Sequence, residues 1–181
     1  MKDPFIVGKK IYLRGLDRGD LSNLVGWMND SEVTHFLFMG ERPANLEVLA
    51  EQWEKNVRNL NEVTFAVIDK KNNRMVGWGG LYVINWSSRT AEYRVFIGAK
   101  NYWNKGYGTE IAKLIVQYGF EKLNLNKVWL GVNTEHKGGF YSYQKAGFVK
   151  EGVLRQEIFR NNRYYDAVRM SILRSEYEKS K

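Results

Sequence analysis

The sequence of 181 residues contains no cysteine. A disulfide framework, a cysteine-based zinc site and a cysteine nucleophile are therefore excluded, and a reducing compartment fits. Proline is almost absent, with two in the chain. No linker, repeat or low-complexity stretch divides the residues, so one domain over 1–181 is expected. No apolar run approaches the ~20 residues of a membrane-spanning helix. Residues 1–5 lack the apolar stretch of a signal peptide. A cytoplasmic protein with no membrane partner is the expectation.

Aromatic residues, in contrast, are plentiful: 9 Phe, 6 Trp and 11 Tyr. A chain of this length should bury roughly 70% of the surface its unfolded form exposes, so neither a metal nor a disulfide is needed to hold it together. The formal charge is +8, from 28 Lys and Arg against 20 Asp and Glu. The basic residues are scattered and not clustered, which reads as a solubilising surface excess rather than a nucleic-acid interface.

Hydrophobic period places the elements. Residues 9–16 alternate polar and apolar, as a half-buried strand does. Residues 17–28 read as a helix with Asp17 as N-cap and Leu21, Leu24, Val25 and Met28 as its apolar stripe. Residues 45–59 read as a second helix with Leu46, Leu49, Trp53 and Val57 on one face. Between these helices, residues 35–43 form an aromatic loop with Gly40 and Pro43. Strands are expected at 62–69 and 74–83, joined by the polar turn 70–73, and at 89–97. A helix over 108–123, a strand over 127–132 and a short helix over 137–146 follow. A last hairpin, 149–159 with 163–173, turns at Asn161 and Asn162. The order is mixed α and β, which by itself allows several folds.

The most informative stretch runs from Asn101 to Glu110, between a strand and a helix. Gly106 and Gly108 stand at the mouth of that helix, where glycine permits a tight turn and close approach of a ligand. The first N–H groups of a helix lack intrahelical partners and favour phosphate. Lys100 and Lys105 add positive charge. The spacing is not that of a P-loop, which needs a Lys before the Thr. It is not a dinucleotide fingerprint either, since no third glycine follows.

Lys105, Gly106, Tyr107, Gly108, Thr109 and Glu110, leading into an amphipathic helix, resemble the acetyl-CoA loop of the GNAT superfamily of N-acetyltransferases, with Trp103 where that motif has Gln or Arg. Val132, Asn133 and Glu135, then Tyr143, Lys145, Gly147 and Phe148, are similar to the family's late segment in identity and spacing. Glu151 and Gly152 add a third match. The resemblance runs from Ile11 to the C-terminal hairpin and looks closest to the branch of ribosomal-protein, spermidine and amino-sugar acetyltransferases. It implies an α/β (mixed α+β) fold: one mixed, mostly antiparallel sheet, flanked by helices and splayed where the cofactor enters. Acetyl-CoA is the implied co-substrate, and a small-molecule amine or a protein N-terminus the implied acceptor. The positive charge would help capture polyanionic coenzyme A. A homodimer is compatible with this reading.

The resemblance also implies roles. Lys105, Gly106, Tyr107, Gly108 and Thr109 would hold the diphosphate, and Val95, Phe96 and Ile97 would offer main-chain groups to the pantetheine arm. Asn133 would contact the cofactor, as would His136, which stands where the motif has Asn. Gly138 and Gly139 replace an Arg-Ala type pair, and each weakens a helix start by roughly 1 kcal/mol relative to Ala. Tyr143, four residues before Gly147, is the implied acid for the departing thiolate. Packing against a short helix is its structural alternative. Glu92 is the implied base, against the alternative of a surface carboxylate paired with Arg94, which shares its strand face. His35 and His136 are further bases on chemistry alone, ranked below Glu92. A catalytically silent acyl-CoA-binding or sensor module is the competing function, with Trp103 and His136 as its support. The basic total argues slightly against a polyamine acceptor, and is compatible with a nucleotide-linked amino sugar or a ribosome-associated target.

Overall fold

A computed structural model of the chain describes residues 3–37 and 40–179. Phe38 and Met39 of the aromatic loop lie outside the described residues. Eight strands form one sheet: β1 (Ile6–Val7), β2 (Ile11–Gly15), β3 (Val63–Asp69), β4 (Met75–Asn85), β5 (Thr90–Ile97), β6 (Lys127–Asn133), β7 (Val149–Arg160) and β8 (Arg163–Leu173). The spatial order is β1-β2-β3-β4-β5-β6-β8-β7. Every neighbouring pair is antiparallel except β5 with β6. The helices are α1 (Leu21–Met28), α2 (Leu46–Asn56), α3 (Tyr107–Glu121), α4 (Lys137–Ala146) and α5 (Arg174–Lys179).

The first helix begins later than the sequence predicts. Residues Arg18–Asp20 form a 3-10 turn, and the α-helix starts at Leu21. Arg14 explains the tightening. Its guanidinium grips Asp20 through two bonds of 2.7 and 2.8 Å, and the same carboxylate accepts the Asp17 N–H at 2.8 Å. Both side chains are nearly buried, so the bidentate geometry supports an ion pair that would otherwise be costly to desolvate. Asn45 caps α2 as its residue type suggests, accepting the Val48 N–H at 2.9 Å. The apolar face of α2 differs from the predicted stripe: Leu49, Ala50 and Trp53 pack inward, whereas Leu46 and Val57 are exposed. At the last hairpin Asn161 and Asn162 both have positive φ, +49° and +58°, as a two-residue turn between twisted strands requires.

Two layers cover the sheet. On one face Ile111, Ala112, Ile115, Val116 and Phe120 of α3 pack against Leu81, Val128, Leu130 and Met170. On the other, α1 and α2 pack Leu21, Leu24 and Leu49 beside Trp27 and Trp78.

The sheet comes apart in its middle. The parallel pairing of β5 with β6 covers three rungs, Thr90 with Lys127, Ala91 with Val128 and Glu92 with Trp129. Beyond them β5 stays with β4 as far as Ile97, while β6 stays with β8 as far as Asn133. Among the described residues, 93–97 of β5 therefore have no strand partner on their β6 side. Backbone donors and acceptors left along such an edge are available to an extended ligand.

Candidate active site

Glu92 forms the last rung of the parallel pair, and Tyr93 is the first residue past it. Side chains alternate along a strand. Phe96 packs on Trp27 and Trp78, on the α1 and α2 face. Glu92 and Arg94 share that face. Tyr93 points the opposite way and packs on Tyr143 and Phe148, with ring centroids 6.0 and 5.9 Å away. The opening is thus flanked by a carboxylate from one face and by a phenol carried on α4 from the other.

Glu92 is paired with Arg94, as its alternative reading has it, but is not a surface group. Its side chain is only 16% exposed, yet it accepts a 2.6 Å bond from the Arg94 guanidinium. Arg94 also lies over the Tyr82 ring at 5.0 Å. Tyr143 is half-buried against the rings of Tyr93 and Phe148, and burial pushes its phenol up to about 12. It therefore keeps its proton at neutral pH, as a donor must.

The glycines of the loop have different tasks. Gly106 is the N-cap of α3 and holds φ +81°, a left-handed conformation in which a side chain is strained. Gly108 permits close packing of the two helices: a Cβ there would lie 3.1 Å from Ser142 Oγ on α4. Thr109 strengthens the same junction, its Oγ1 3.0 Å from Ser142 Oγ. Tyr107 turns its side chain away, donating to Asp69 at 2.7 Å, and burial beside that carboxylate lifts its phenol to about 12. Its side chain anchors the loop, and its N–H is what remains for a ligand. Lys105 bends its ammonium back to the Asn101 carbonyl at 2.7 Å, while Lys10 donates to the Lys105 carbonyl at 2.6 Å.

Three of the departures from the family motif, Trp103, His136 and Gly139, find physical reasons, and nothing in the structure explains Gly138. The Trp103 indole N–H donates to the Ile97 carbonyl at 2.8 Å, tying the loop to the free end of β5. Of the three strand residues expected to offer main-chain groups to pantetheine, Ile97 therefore has its carbonyl occupied and Phe96 turns its carbonyl against Gly77 of β4, which by alternation leaves Val95 toward the open edge. Asn133, buried at the end of β6, accepts the Glu135 N–H at 2.9 Å and shapes the turn into α4. His136 stacks on Phe36 at 4.4 Å, and Phe36 meets His35 edge-on at 4.5 Å. Burial, aided by the neighbouring His35, holds the His136 imidazole below its ordinary range. A Cβ at position 139 would lie 2.5 Å from His136 Cδ2, so Gly139 makes room for this ring. The two departures are one adjustment.

Tyr93, Lys10, Ser142 and Phe36 join the site without having been singled out in the sequence. Only Tyr93 left a local signal, as the inward neighbour of Glu92 on an alternating strand.

A forked mixed sheet with a glycine-capped helix mouth at its opening is the arrangement expected of an acyl-CoA-dependent acetyltransferase. The chain belongs to the acetyltransferase (GNAT) domain family, whose model matches residues 10–149. The spermidine N(1)-acetyltransferase of Vibrio cholerae serotype O1 is 34% identical over 172 residues, covering 94% of this chain and 97% of its own. The corresponding protein of Escherichia coli K12 is 34% identical, covering 92% and 88%. A crystal structure of the Vibrio cholerae spermidine N-acetyltransferase in complex with CoA and spermine superposes with a TM-score of 0.87 at 33% identity, covering 94% of this chain and 99% of that one. The chain is a GNAT-type N-acetyltransferase, and acetyl-CoA is its co-substrate.

Proposed function

We propose that this enzyme acetylates a primary amine of a small polyamine of the spermidine class, acting as one acetyltransferase domain over 1–181. The observation carrying the acceptor is the likeness, over 94% of the chain, to a protein whose structure holds CoA and spermine. This reverses the slight preference against polyamines drawn from the +8 charge. Net charge sums the whole surface, whereas an acceptor meets only the groups at one opening, so the total does not decide the acceptor. Among the described residues no helix is long and apolar enough to cross a membrane. We assign the enzyme to the cytoplasm and retain a homodimer as the assembly compatible with the family.

In this reading the diphosphate lies on the N–H groups of Gly106, Tyr107, Gly108 and Thr109, at the positive end of α3. The pantetheine arm runs along the open edge at Val95, Phe96 and Ile97, past Asn133 and the His136 turn. The thioester then reaches the fork. A neutral amine attacks its carbonyl, the C–N bond forms, the nitrogen sheds its second proton to water and the C–S bond breaks. Tyr143 gives its proton to the departing sulfur and regains one from solvent. Glu92, reached through water, takes the proton that the acceptor ammonium must lose. Holding amine and thioester together supplies much of the remaining rate. The silent-module reading rested on Trp103 and His136, and both are accounted for by packing.

Incubating the enzyme with acetyl-CoA and a panel of amines tests the acceptor. Spermidine and spermine should release CoA thiol faster than amino sugars or an N-terminal peptide at equal concentration. Faster turnover of an amino sugar or peptide would remove the polyamine assignment.

Glu92→Gln should move the rise of kcat with pH to more alkaline values. The enzyme would then depend on solution to supply the free amine. A pH–rate profile identical to the parent's, measured on the best acceptor of the panel, would reject Glu92 as the base.

A further inference from the structure

Among the described residues, Tyr93 Oη is the buried side-chain polar atom with no hydrogen-bond partner. Tyr93 is 2% exposed, within the apolar core that Phe148, Val128 and Leu130 share. Buried hydroxyls in native proteins are nearly always satisfied, so an orphan asks for a reason. Phenylalanine would fill the same volume without the unpaired hydroxyl.

Position supplies a reason. Tyr93 is the first residue of β5 beyond the last rung to β6, at the apex of the fork. Its ring meets Tyr143 edge to face at 6.0 Å, an interplanar angle of 81°. Phe148 packs against both rings. Tyr143 is also the ionisable group whose charge acts on Tyr93, and with burial it holds the Tyr93 phenol well above its ordinary range. Tyr93 therefore stays a protonated donor while Tyr143 changes its charge.

We propose that Tyr93 is a positioning residue for acetyl transfer: its buried hydroxyl, engaged by no protein group among the described residues, donates to the Tyr143 oxygen as that phenol gives up its proton. This rests on the reading of Tyr143 as the acid. The balance is simple. The Tyr143 O–H bond breaks as the S–H bond of CoA forms, and the phenolate left behind accepts the Tyr93 O–H as a hydrogen bond. No proton leaves Tyr93. Tyr143 then takes a proton from solvent, and the bond from Tyr93 is released. A bond that exists only while Tyr143 carries charge strengthens the transition state without tightening substrate binding. Hydrogen bonds to charged groups are stronger than neutral ones, which suits a donor in an enclosed aromatic pocket.

The test is a double-mutant cycle of Tyr93→Phe, Tyr143→Phe and the pair, with kcat, KM for acetyl-CoA and the melting temperature measured for each. Tyr93→Phe should lower kcat roughly tenfold, leave KM for acetyl-CoA unchanged and melt no lower than the parent. In the Tyr143→Phe background the same change should have little further effect on kcat, because the charge it serves is gone. A parent-like kcat in Tyr93→Phe overturns the proposal. So does a loss of the same size in both backgrounds, which would mean that Tyr93 acts without Tyr143. A parent-like kcat in Tyr143→Phe would remove the acid assignment itself, and is seen in that single variant alone.

Discussion

Tyr143→Phe is expected to lower kcat by ~10²–10⁴, the usual contribution of a positioned acid or base, while leaving the affinity for acetyl-CoA close to the parent's. The ring keeps its packing against Tyr93 and Phe148, so the loss isolates the hydroxyl. Burial lifts the phenol to about 12, and the sign of the pH dependence follows. Below that value Tyr143 holds its proton, so the parent's activity should rise with pH as the acceptor amine is freed. It should not fall again through the accessible alkaline range on account of Tyr143. A variant turning over within a factor of two of the parent would return Tyr143 to a packing role.

Gly106→Val is expected to weaken acetyl-CoA binding by tenfold or more in a protein that still folds. Gly106 has φ +81°, and the nearest atom to an added Cβ is the tip of the long Lys10 side chain, Nζ, at 3.4 Å. The fold therefore has space for a side chain, but the left-handed conformation costs a β-branched residue about 1–2 kcal/mol. Relief of that strain would rotate the first peptides of α3 and misdirect the N–H groups that receive the diphosphate. Gly106→Asn is the control, since asparagine tolerates this conformation better than other residues. It should retain most of the affinity, measured by calorimetry on both variants. Equal, parent-like affinity in the valine variant would move the diphosphate away from this helix mouth. Gly108 is a poorer probe, because a Cβ there first disturbs Ser142 and the contact between α3 and α4.

Most elements could be read from local pattern, because their period and turn residues are local. The last hairpin is set by Asn161 and Asn162, and α4 runs from Lys137 to Ala146 as its sequence indicates. The elements missed are those too short to show a period: β1 with 2 residues, α5 with 6, and the 3-10 turn Lys100–Tyr102. The face of α2 was misjudged because four apolar residues fit a helical stripe, and only packing decides that Ala50 turns inward rather than Leu46. In the site, the glycine loop was legible because its geometry comes from adjacent residues. The fork was not. Its extent depends on where β6 leaves β5 for β8, a choice between strands far apart in sequence. The bond from Lys10 to Lys105 spans 95 residues and leaves no local trace. His136 and Gly139 were each visible as departures, but that one accommodates the other needs the ring's position over the first turn of α4.

The central claim is that the gap between β5 and β6 is the reaction centre, entered by the thioester and flanked by Tyr143 and Glu92. A crystal structure of the enzyme with CoA and spermidine tests it most directly. The account predicts the CoA diphosphate on the N–H groups of residues 106–109, the pantetheine along residues 95–97, and the sulfur within hydrogen-bond reach of Tyr143 Oη. A spermidine amine should point at that sulfur from the Glu92 side. A CoA sulfur lying away from the fork, or an amine held where neither Tyr143 nor Glu92 can reach it directly or through one water, would contradict the account.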